Sequence, residues 1–494
     1  MQPRIAIEVM LLGMLEDLLK ERRRKLESYR NFAEPYPAKV RRDKTLTEVL
    51  KDFSELERSA KAIFVVGRIT AWRDQGGIVF ADIKDESAGL QLVFNEKEIK
   101  NLQLFKETFD IGDFVEARGT AFTTKKGEKS LLVKQARLIA KSLQPLPATW
   151  YGLEDLETRL RKRYLDTLLN QEVKEIFLKK AVFWDEIRNF LKKAGFLEVN
   201  MGVLEAVPGG ADAEPFVTHH NALGRDFYLR ISLELPLKKL LVGGFEKVFE
   251  IGHIFRNEGI DKEHLQDYVQ MECYAAYWDY NDMMDFTEKM YKAAIKKIFG
   301  ELKTKSGSDT IDWGKKWPKV DYYEKFRQEA GIDLKTASRE LLLKRAKEIG
   351  LETEPNFGRG RLIDLIYKKA LRPTLVQPCF LIDPPVDIEP LAKRLEDDSG
   401  RVARFQIMAV GTELGKGFSE LNDPLDQRKR FEEQMKLREA GDKEAQRLDQ
   451  DFLEALEYGM PPAAGFGLSE RFFAVLMDKP VRETVFFPLM KQQS

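Results

Sequence analysis

The sequence predicts an α+β protein with two unlike regions, and three observations carry that prediction. Five short alternating segments, separated by Gly, Asp, Lys and Asn turns, lie between Ala62 and Ala140. Apolar residues at helical spacing mark the N-terminal segment, the stretch after Glu154 and much of the region between Tyr277 and Gly350. Between the helical stretches, "FEIGHIFRNEGIDKEHLQDYVQMECY", from Phe249 to Tyr274, reads as two alternating strands around a charged loop.

Leu11, Leu12, Leu15, Leu18, Leu19 and Leu26 place a helix up to about Arg30, with "KERRRK" along it. The basic run is either a solvated helix face or a surface that leans on a phosphate backbone. Glu8, Glu16 and Asp17 interrupt the apolar run, which is therefore not read as a secretion signal, and no stretch is apolar enough to span a bilayer. "EPYP", Glu34 to Pro37, stops the helical pattern.

The five alternating segments are "IFVVGRITAW", "GIVFADIKD", "GLQLVFN", "DFVEARGTAFTT" and "KSLLVKQARLI". A helical segment near "NEKEIKNLQLFKETF" separates the third from the fourth. Five strands with one internal helix suit a small oligonucleotide-binding barrel. The expected organisation is a helical extension over residues 1–60, a barrel over 61–142, a proline-marked linker over 143–153, and a larger region over 154–494. Within the larger region a helical insertion is expected at roughly 320–370. Two helices, about Glu154 to Leu169 and Glu172 to Ala194, open it.

The chain carries 81 acidic and 81 basic residues, so a nucleic-acid partner would have to bind local patches. Cys273 and Cys379 are far apart and indicate neither a disulfide framework nor a zinc site, which suits a reducing cytoplasm.

In the Phe249–Tyr274 stretch, Glu250, Gly252, Ile254 and Arg256 share one strand face, and Tyr268, Gln270, Glu272 and Tyr274 share a face of the returning strand. Paired antiparallel, the two strands form a floor with an arginine, two acids and two aromatic rings; the plainer alternative is a half-exposed hairpin with surface ion pairs. An arginine fork holds phosphate bidentately and an aromatic face stacks on a purine, with Glu258 and His264 flanking the same ligand. Elsewhere "ISLELPLKKLLVGG" brings Glu234 on a strand before an amphipathic helix, and "GTELGKGFSELND" brings Glu413 and Glu420 on a short strand pair. "GFGLSERFFAVLM" is a Gly-rich strand followed by Arg471 at a helix start. Two arginines and a carboxylate pair able to carry a divalent metal point to a nucleotide-activating site.

"FRNEG" with a following "ME-x-Y", "GGADAEPFVTHHNALG", "LELPLKKLLVGGFEKVFEIG", "GFSELNDPLDQRKRF" and a C-terminal Gly-rich "ER" resemble the class II lysyl-tRNA synthetases over nearly the whole chain. The resemblance implies an OB-fold anticodon-binding domain and a catalytic domain built on an antiparallel sheet flanked by helices. It also implies activation of L-lysine with ATP and Mg2+, transfer of lysine to tRNA(Lys), and a homodimer in the cytoplasm.

By motif match the resemblance puts Arg256 on the α-phosphate, Glu258 beside adenine, His264 on the distal phosphates, Tyr268 stacked on adenine and Arg471 on the γ-phosphate, Arg256 and Arg471 being the catalytic pair. Glu413 and Gln406 fall on the metal-bridging positions. Glu234, Glu272 and Glu420 match the carboxylates of the lysine pocket, with Tyr274 and Phe418 as walls and Gly210 near the α-amino group. Arg73, Phe80, Gln91 and Glu128 fall on anticodon-reading positions, where aromatic stacking and edge hydrogen bonds read unpaired bases. Phe80 as barrel core and Glu128 as a turn residue are the plainer alternatives.

Four positions and the length of one motif depart from the family pattern. Gly202 replaces a proline, Gln406 replaces the second metal-bridging acid, Lys416 replaces an asparagine of the lysine pocket, and Glu214 stands where arginine or lysine is common. The third motif is one residue short, which would displace Arg471 by a strand register. These departures leave two further expectations open: a catalytically weakened paralogue that binds tRNA or nucleotide, and a pocket redirected by Lys416 to an acidic amino acid.

Overall fold

The computed structural model describes residues 2–147, 153, 155–259, 265–354, 357–441 and 445–491, with side chains from residue 13 onward. The chain divides into two compact units, Met1–Gly152 and Leu153–Ser494.

In the first unit, β1 (Ile63–Asp74), β2 (Ile78–Lys84), β3 (Gly89–Asn95), β4 (Phe114–Thr123) and β5 (Lys129–Ala140) close a barrel in the order β1-β2-β3-β5-β4. Only β3 and β5 pair in parallel. Alternation does the sorting: Val79, Ala81 and Ile83 of β2 are buried, while Phe80 and Asp82 between them face outward. A helix, Leu102–Thr108, stacks Phe105 on Phe109 beneath the barrel.

The N-terminal helix, Gln2–Arg30, shares the barrel's core. Tyr29 is fully buried, and its hydroxyl accepts a hydrogen bond from the Leu138 N–H at 2.9 Å. The "KERRRK" run is not a uniformly solvated face. Arg22 is 6 % exposed and donates to the carbonyls of Ser142 at 2.6 Å and Ile111 at 3.0 Å, and Lys25 pairs with Asp110. These two cations fasten the helix to the barrel and are spent on protein groups.

The second unit contributes β6 (Leu197–Glu198), β7 (Leu204–Glu205), β8 (Val217–His220), β9 (Arg225–Leu229), β10 (Lys247–Phe255), β11 (Asp267–Ala276), β12 (Lys303–Ser306), β13 (Asp309–Asp312), β14 (Lys319–Asp321), β15 (Cys379–Ile382), β16 (Arg404–Ala409), β17 (Thr412–Ser419) and β18 (Ala463–Ser469). An eight-stranded sheet runs β14-β15-β16-β17-β18-β11-β10-β6, antiparallel from β15 through β10 and parallel at both edges. Helices Gln171–Lys193 and Tyr280–Phe299 bury Phe183, Ile187, Tyr291 and Ile295 in one core with Phe249, Phe466 and Phe472. Asp279 caps the second of these helices through a capping box, and Gly300 ends it at φ 77°.

The helix expected over Glu154 to Leu169 is two helices, Leu156–Arg161 and Arg163–Leu169, broken at Lys162; Glu154 lies outside the described residues. The break lets Arg159 and Arg163 grip the buried Asp166 from both sides, at 2.9 and 2.5 Å. Between Tyr277 and Gly350 the pattern is not helical throughout, because β12 and β13 form a hairpin around "SGSD". Helices Tyr322–Ala330, Arg339–Glu348 and Arg359–Ile366 gather a separate core around Tyr322, Phe326 and Leu362. Among the described residues no helix is long and apolar enough to cross a membrane.

Candidate active site

A cavity of about 1260 Å³ opens over the face of the second unit's sheet formed by β11, β16, β17 and β18. Strand register explains which side chains reach it. Ile254 pairs with Tyr268, Gly252 with Gln270 and Glu250 with Glu272, so the two faces read from the sequence are one face of an antiparallel hairpin. Glu272 in turn faces Gly467 of β18, and Gly467 faces Lys416 of β17. The glycines of β18 hold this part of the sheet open. A Cβ at Gly465 would collide with Tyr274 and Glu420, and one at Gly467 would lie 3.3 Å from Glu272 Cγ.

Glu250 does not belong to the cavity floor as the sequence suggested. It is fully buried, pairs with Arg230 at 2.8 Å, and accepts from the Met201 N–H at 3.0 Å. Burying a carboxylate without a partner is costly, so the sheet spends Arg230 on it and leaves Glu272 as the floor's acid.

Glu272 is 3 % exposed and takes donors on both oxygens. Ser232 Oγ at 2.8 Å and the Leu233 N–H at 3.0 Å donate to Oε1, and the Tyr274 hydroxyl donates to Oε2 at 2.8 Å. Burial, with Glu234 and Glu272 nearby, pushes the Tyr274 hydroxyl well above its ordinary range, so it stays a donor.

Glu234 opens the helix Glu234–Val242 rather than lying on a strand. Pro236 is tolerated in that first turn, where its missing N–H costs nothing. Four residues on, the fully buried Lys238 pairs with both Glu234 and Glu420. Burial works against the Lys238 charge, but the two carboxylates outweigh it and hold the ammonium above its ordinary range. Burial pushes Glu234 and Glu420 upward while Lys238 pulls them down, and burial wins in direction. Among the described residues Glu420 Oε1 has no hydrogen-bond partner. Gly210 (φ 82°) closes on this group, since a Cβ there would lie 2.9 Å from Glu234 Cβ. Phe418 and Tyr274 wall it, with the Phe418 ring 5.3 Å from Lys238 Nζ.

Toward the loop after β10, Arg256, Glu258, Tyr268 and Arg471 all line the cavity. The Arg256 guanidinium lies 5.8 Å from the Tyr268 ring, and its Nε donates to the Ile231 carbonyl at 3.3 Å. His264 lies outside the described residues. The short third motif does not displace Arg471. β18 pairs with β11 without a register break from Ser469 to Ala463, and Glu470 anchors the following turn through the Val269 N–H at 2.8 Å and Lys180 at 2.5 Å.

At the β16–β17 end, Gln406, Glu413 and Lys416 line the cavity together with Arg404 and Glu389. Lys416 does not crowd the carboxylates of the Glu272 end, because its Nζ lies 3.0 Å from Glu389 Oε2. Gln406 donates through Nε2 to Glu413. Burial works against the Glu413 charge, yet Arg404 and Lys416 hold that carboxyl below its usual range, so it offers an ionised oxygen. A magnesium ion held by one carboxylate and substrate phosphates fits Glu413; one bridged by two carboxylates does not fit, because position 406 supplies an amide. Among the described residues no group of three or more His, Cys, Asp or Glu is arranged to hold an ion.

A second candidate surface lies on the barrel. Arg73 of β1 pairs with Phe80 of β2, and Asp82 pairs with Gln91 of β3. Arg73 grips Asp82 with two hydrogen bonds, at 2.7 and 2.9 Å, and Gln91 Oε1 accepts from Ser130 Oγ at 2.9 Å. Phe80 is half-buried on the outer face, which removes it from the core. Glu128 is exposed on the turn into β5.

Residues 155–491 match the family described as "tRNA synthetases class II (D, K and N)", and residues 63–139 match "OB-fold nucleic acid binding domain". The chain is similar to the lysine–tRNA ligase of Moorella thermoacetica, at 43 % identity over 98 % of this chain and 99 % of the relative. It is similar to those of Roseiflexus castenholzii, at 42 % over 97 % and 99 %, and Pelotomaculum thermopropionicum, at 41 % over 97 % and 95 %. The chain is a class II aminoacyl-tRNA synthetase.

The synthetase is thus an aminoacyl-tRNA ligase, an enzyme with an OB-fold domain and a catalytic domain built on an antiparallel-rich sheet. Its site holds residues that sequence reasoning missed: Ser232, Lys238, Glu389 and Arg404. Lys238 had a signal, since Glu234 and Lys238 stand four apart on a helix and can pair. Glu389, in "VDIEP", had none. It precedes β16 by a long excursion, and only the fold returns it beneath Lys416.

Proposed function

We propose that the synthetase activates L-lysine with ATP and transfers it to tRNA(Lys). The observation that carries this reading is the charge arrangement at the Glu272 end of the cavity: three buried carboxylates, Glu234, Glu272 and Glu420, face one internal cation, Lys238. The carboxyl groups outnumber that cation and leave acceptors for the two ammonium groups of lysine, with Phe418 and Tyr274 beside the aliphatic stem. An acidic substrate would meet repulsion from those carboxylates.

In the first step a lysine carboxylate oxygen attacks the α-phosphorus of ATP and pyrophosphate leaves. In the second the terminal ribose hydroxyl of tRNA attacks the carbonyl carbon and AMP leaves. The protein contributes position and charge rather than a nucleophile. Arg256 meets the α-phosphate, Arg471 the γ-phosphate, and Tyr268 with Glu258 seats the adenine. Glu413 would hold a magnesium ion arriving with the triphosphate, and that ion supplies neutralisation of phosphate charge when bound. Arg73, Phe80, Gln91 and Glu128 present a stacking ring and hydrogen-bonding edges to the anticodon. The enzyme is proposed to work in the cytoplasm as a homodimer, a reading supported by the exposed Val203, Leu204, Val217 and Leu223 on and beside the β7-β9-β8 sheet.

Amino-acid-dependent exchange of pyrophosphate into ATP tests the reading. Exchange with lysine alone among the standard amino acids is expected. Exchange with a different amino acid, or none from folded protein that binds ATP, overturns it.

A further inference from the structure

Five side chains meet at the β16–β17 end of the cavity: Arg404, Gln406, Glu413, Lys416 and Glu389. Gln406 and Lys416 are direct cross-strand partners, so they project from the same face of the sheet. The Gln406 amide turns its nitrogen to Glu413, the orientation in which amide and carboxylate attract. Lys416 Nζ and Arg404 Nε both approach Glu389 Oε2, at 3.0 and 3.3 Å. Within this group two carboxylates, Glu389 and Glu413, meet two permanent cations, Arg404 and Lys416, and the Arg471 charge also acts on Glu413. All five side chains line the cavity, and the Lys416 side chain is 38 % exposed toward it.

A carboxylate at 406 and a neutral residue at 416 would make this end more negative by two charges, the charge of one divalent cation. The side chains present shift the balance by that amount. We propose that Lys416 supplies to the triphosphate the positive charge that a second divalent ion would otherwise bring, so that adenylate formation uses only the magnesium carried by ATP. The proposal rests on the ATP-activating reading above. An ammonium suits the role because it is a compact point charge with three donors and binds phosphate without needing an octahedral oxygen cage. Gln406 keeps Glu413 oriented and completes the exchange of a metal-bridging pair for an amide–ammonium pair.

The test counts ions. Mn2+ binding to the full-length protein with saturating ATP, followed by electron paramagnetic resonance, is expected to give one Mn2+ per bound ATP. The double variant Q406E/K416N is expected to give two. In parallel, lysine-dependent pyrophosphate exchange at saturating Mg–ATP should be insensitive to free Mg2+ in the natural protein. K416M should lose exchange by about tenfold or more and regain part of it as free Mg2+ rises. Two Mn2+ per ATP in the natural protein, or an unchanged count in Q406E/K416N, overturns the proposal. Absence of lysine-dependent exchange would instead strike the ligase reading, while the Mn2+ count would still decide the role of Lys416.

Discussion

The two ends of the cavity each bury a lysine among carboxylates, and they use it differently. At one end Lys238 is fully enclosed and pairs with Glu234 and Glu420, and the carboxyl groups there outnumber it. At the other, Lys416 is partly exposed and shares Glu389 with a second cation, Arg404. The same side-chain chemistry thus serves two ligands, a cationic amino acid at the first end and an anionic triphosphate at the second. What differs is the number of carboxylates each lysine is set against, and how much of the ammonium still meets the cavity.

The comparison is tested most severely by removing each lysine. Lys238→Met strands two buried carboxylates and is expected to cost about 3–5 kcal/mol of unfolding free energy, whereas Lys416→Met, partly exposed, should cost under about 1 kcal/mol. Urea denaturation followed by circular dichroism measures both, and equal costs would erase the distinction between the ends. Next in size is Glu272→Gln, which should weaken lysine use by about 2–5 kcal/mol in kcat/KM while the KM for ATP shifts by less than about threefold. Parallel effects on lysine and ATP would remove Glu272 from the amino-acid end.

A change outside the cavity should touch neither end. Phe80→Ala is expected to weaken tRNA charging by about 1–3 kcal/mol while pyrophosphate exchange continues unchanged. Collapse of exchange would contradict the barrel's role. The smallest expected effect concerns Glu205, whose carboxyl is pushed up to about 8 by burial and then by Asp449. A carboxyl raised on folding is protonated in the folded protein and ionised in the unfolded chain at neutral pH. Its stabilising contribution is complete below the unfolded pKa and is lost as pH rises through about 8. Glu205→Gln removes that loss, so its stability advantage should widen by about 1–2 kcal/mol between pH 5 and pH 6.5. A constant difference across that range would mean the carboxyl titrates normally.

Much of the barrel could be read directly, because period-2 alternation and turn residues are local properties. The hairpin floor followed from the same alternation, and its register makes Tyr268, Gln270 and Glu272 neighbours of Ile254, Gly252 and Glu250 as expected. The reading failed where a charge found its partner through the fold. Glu250 left the floor because Arg230 is buried beside it, and Arg22 left the basic face because three carbonyls of the barrel segment receive it. Arg471 stayed in the cavity despite a shortened motif because Glu470 ties the turn to β11 and to Lys180.

The sequence by itself determined the strand and helix periods, the two-region plan, and the residue types that activate an amino acid, since these depend on spacing along the chain. Tertiary structure decided which charges remain for ligands. Neutralisation acts through space over a few ångströms, and Lys416 meets Glu389, as Lys238 meets Glu420, only because separated segments return to the same side of one sheet.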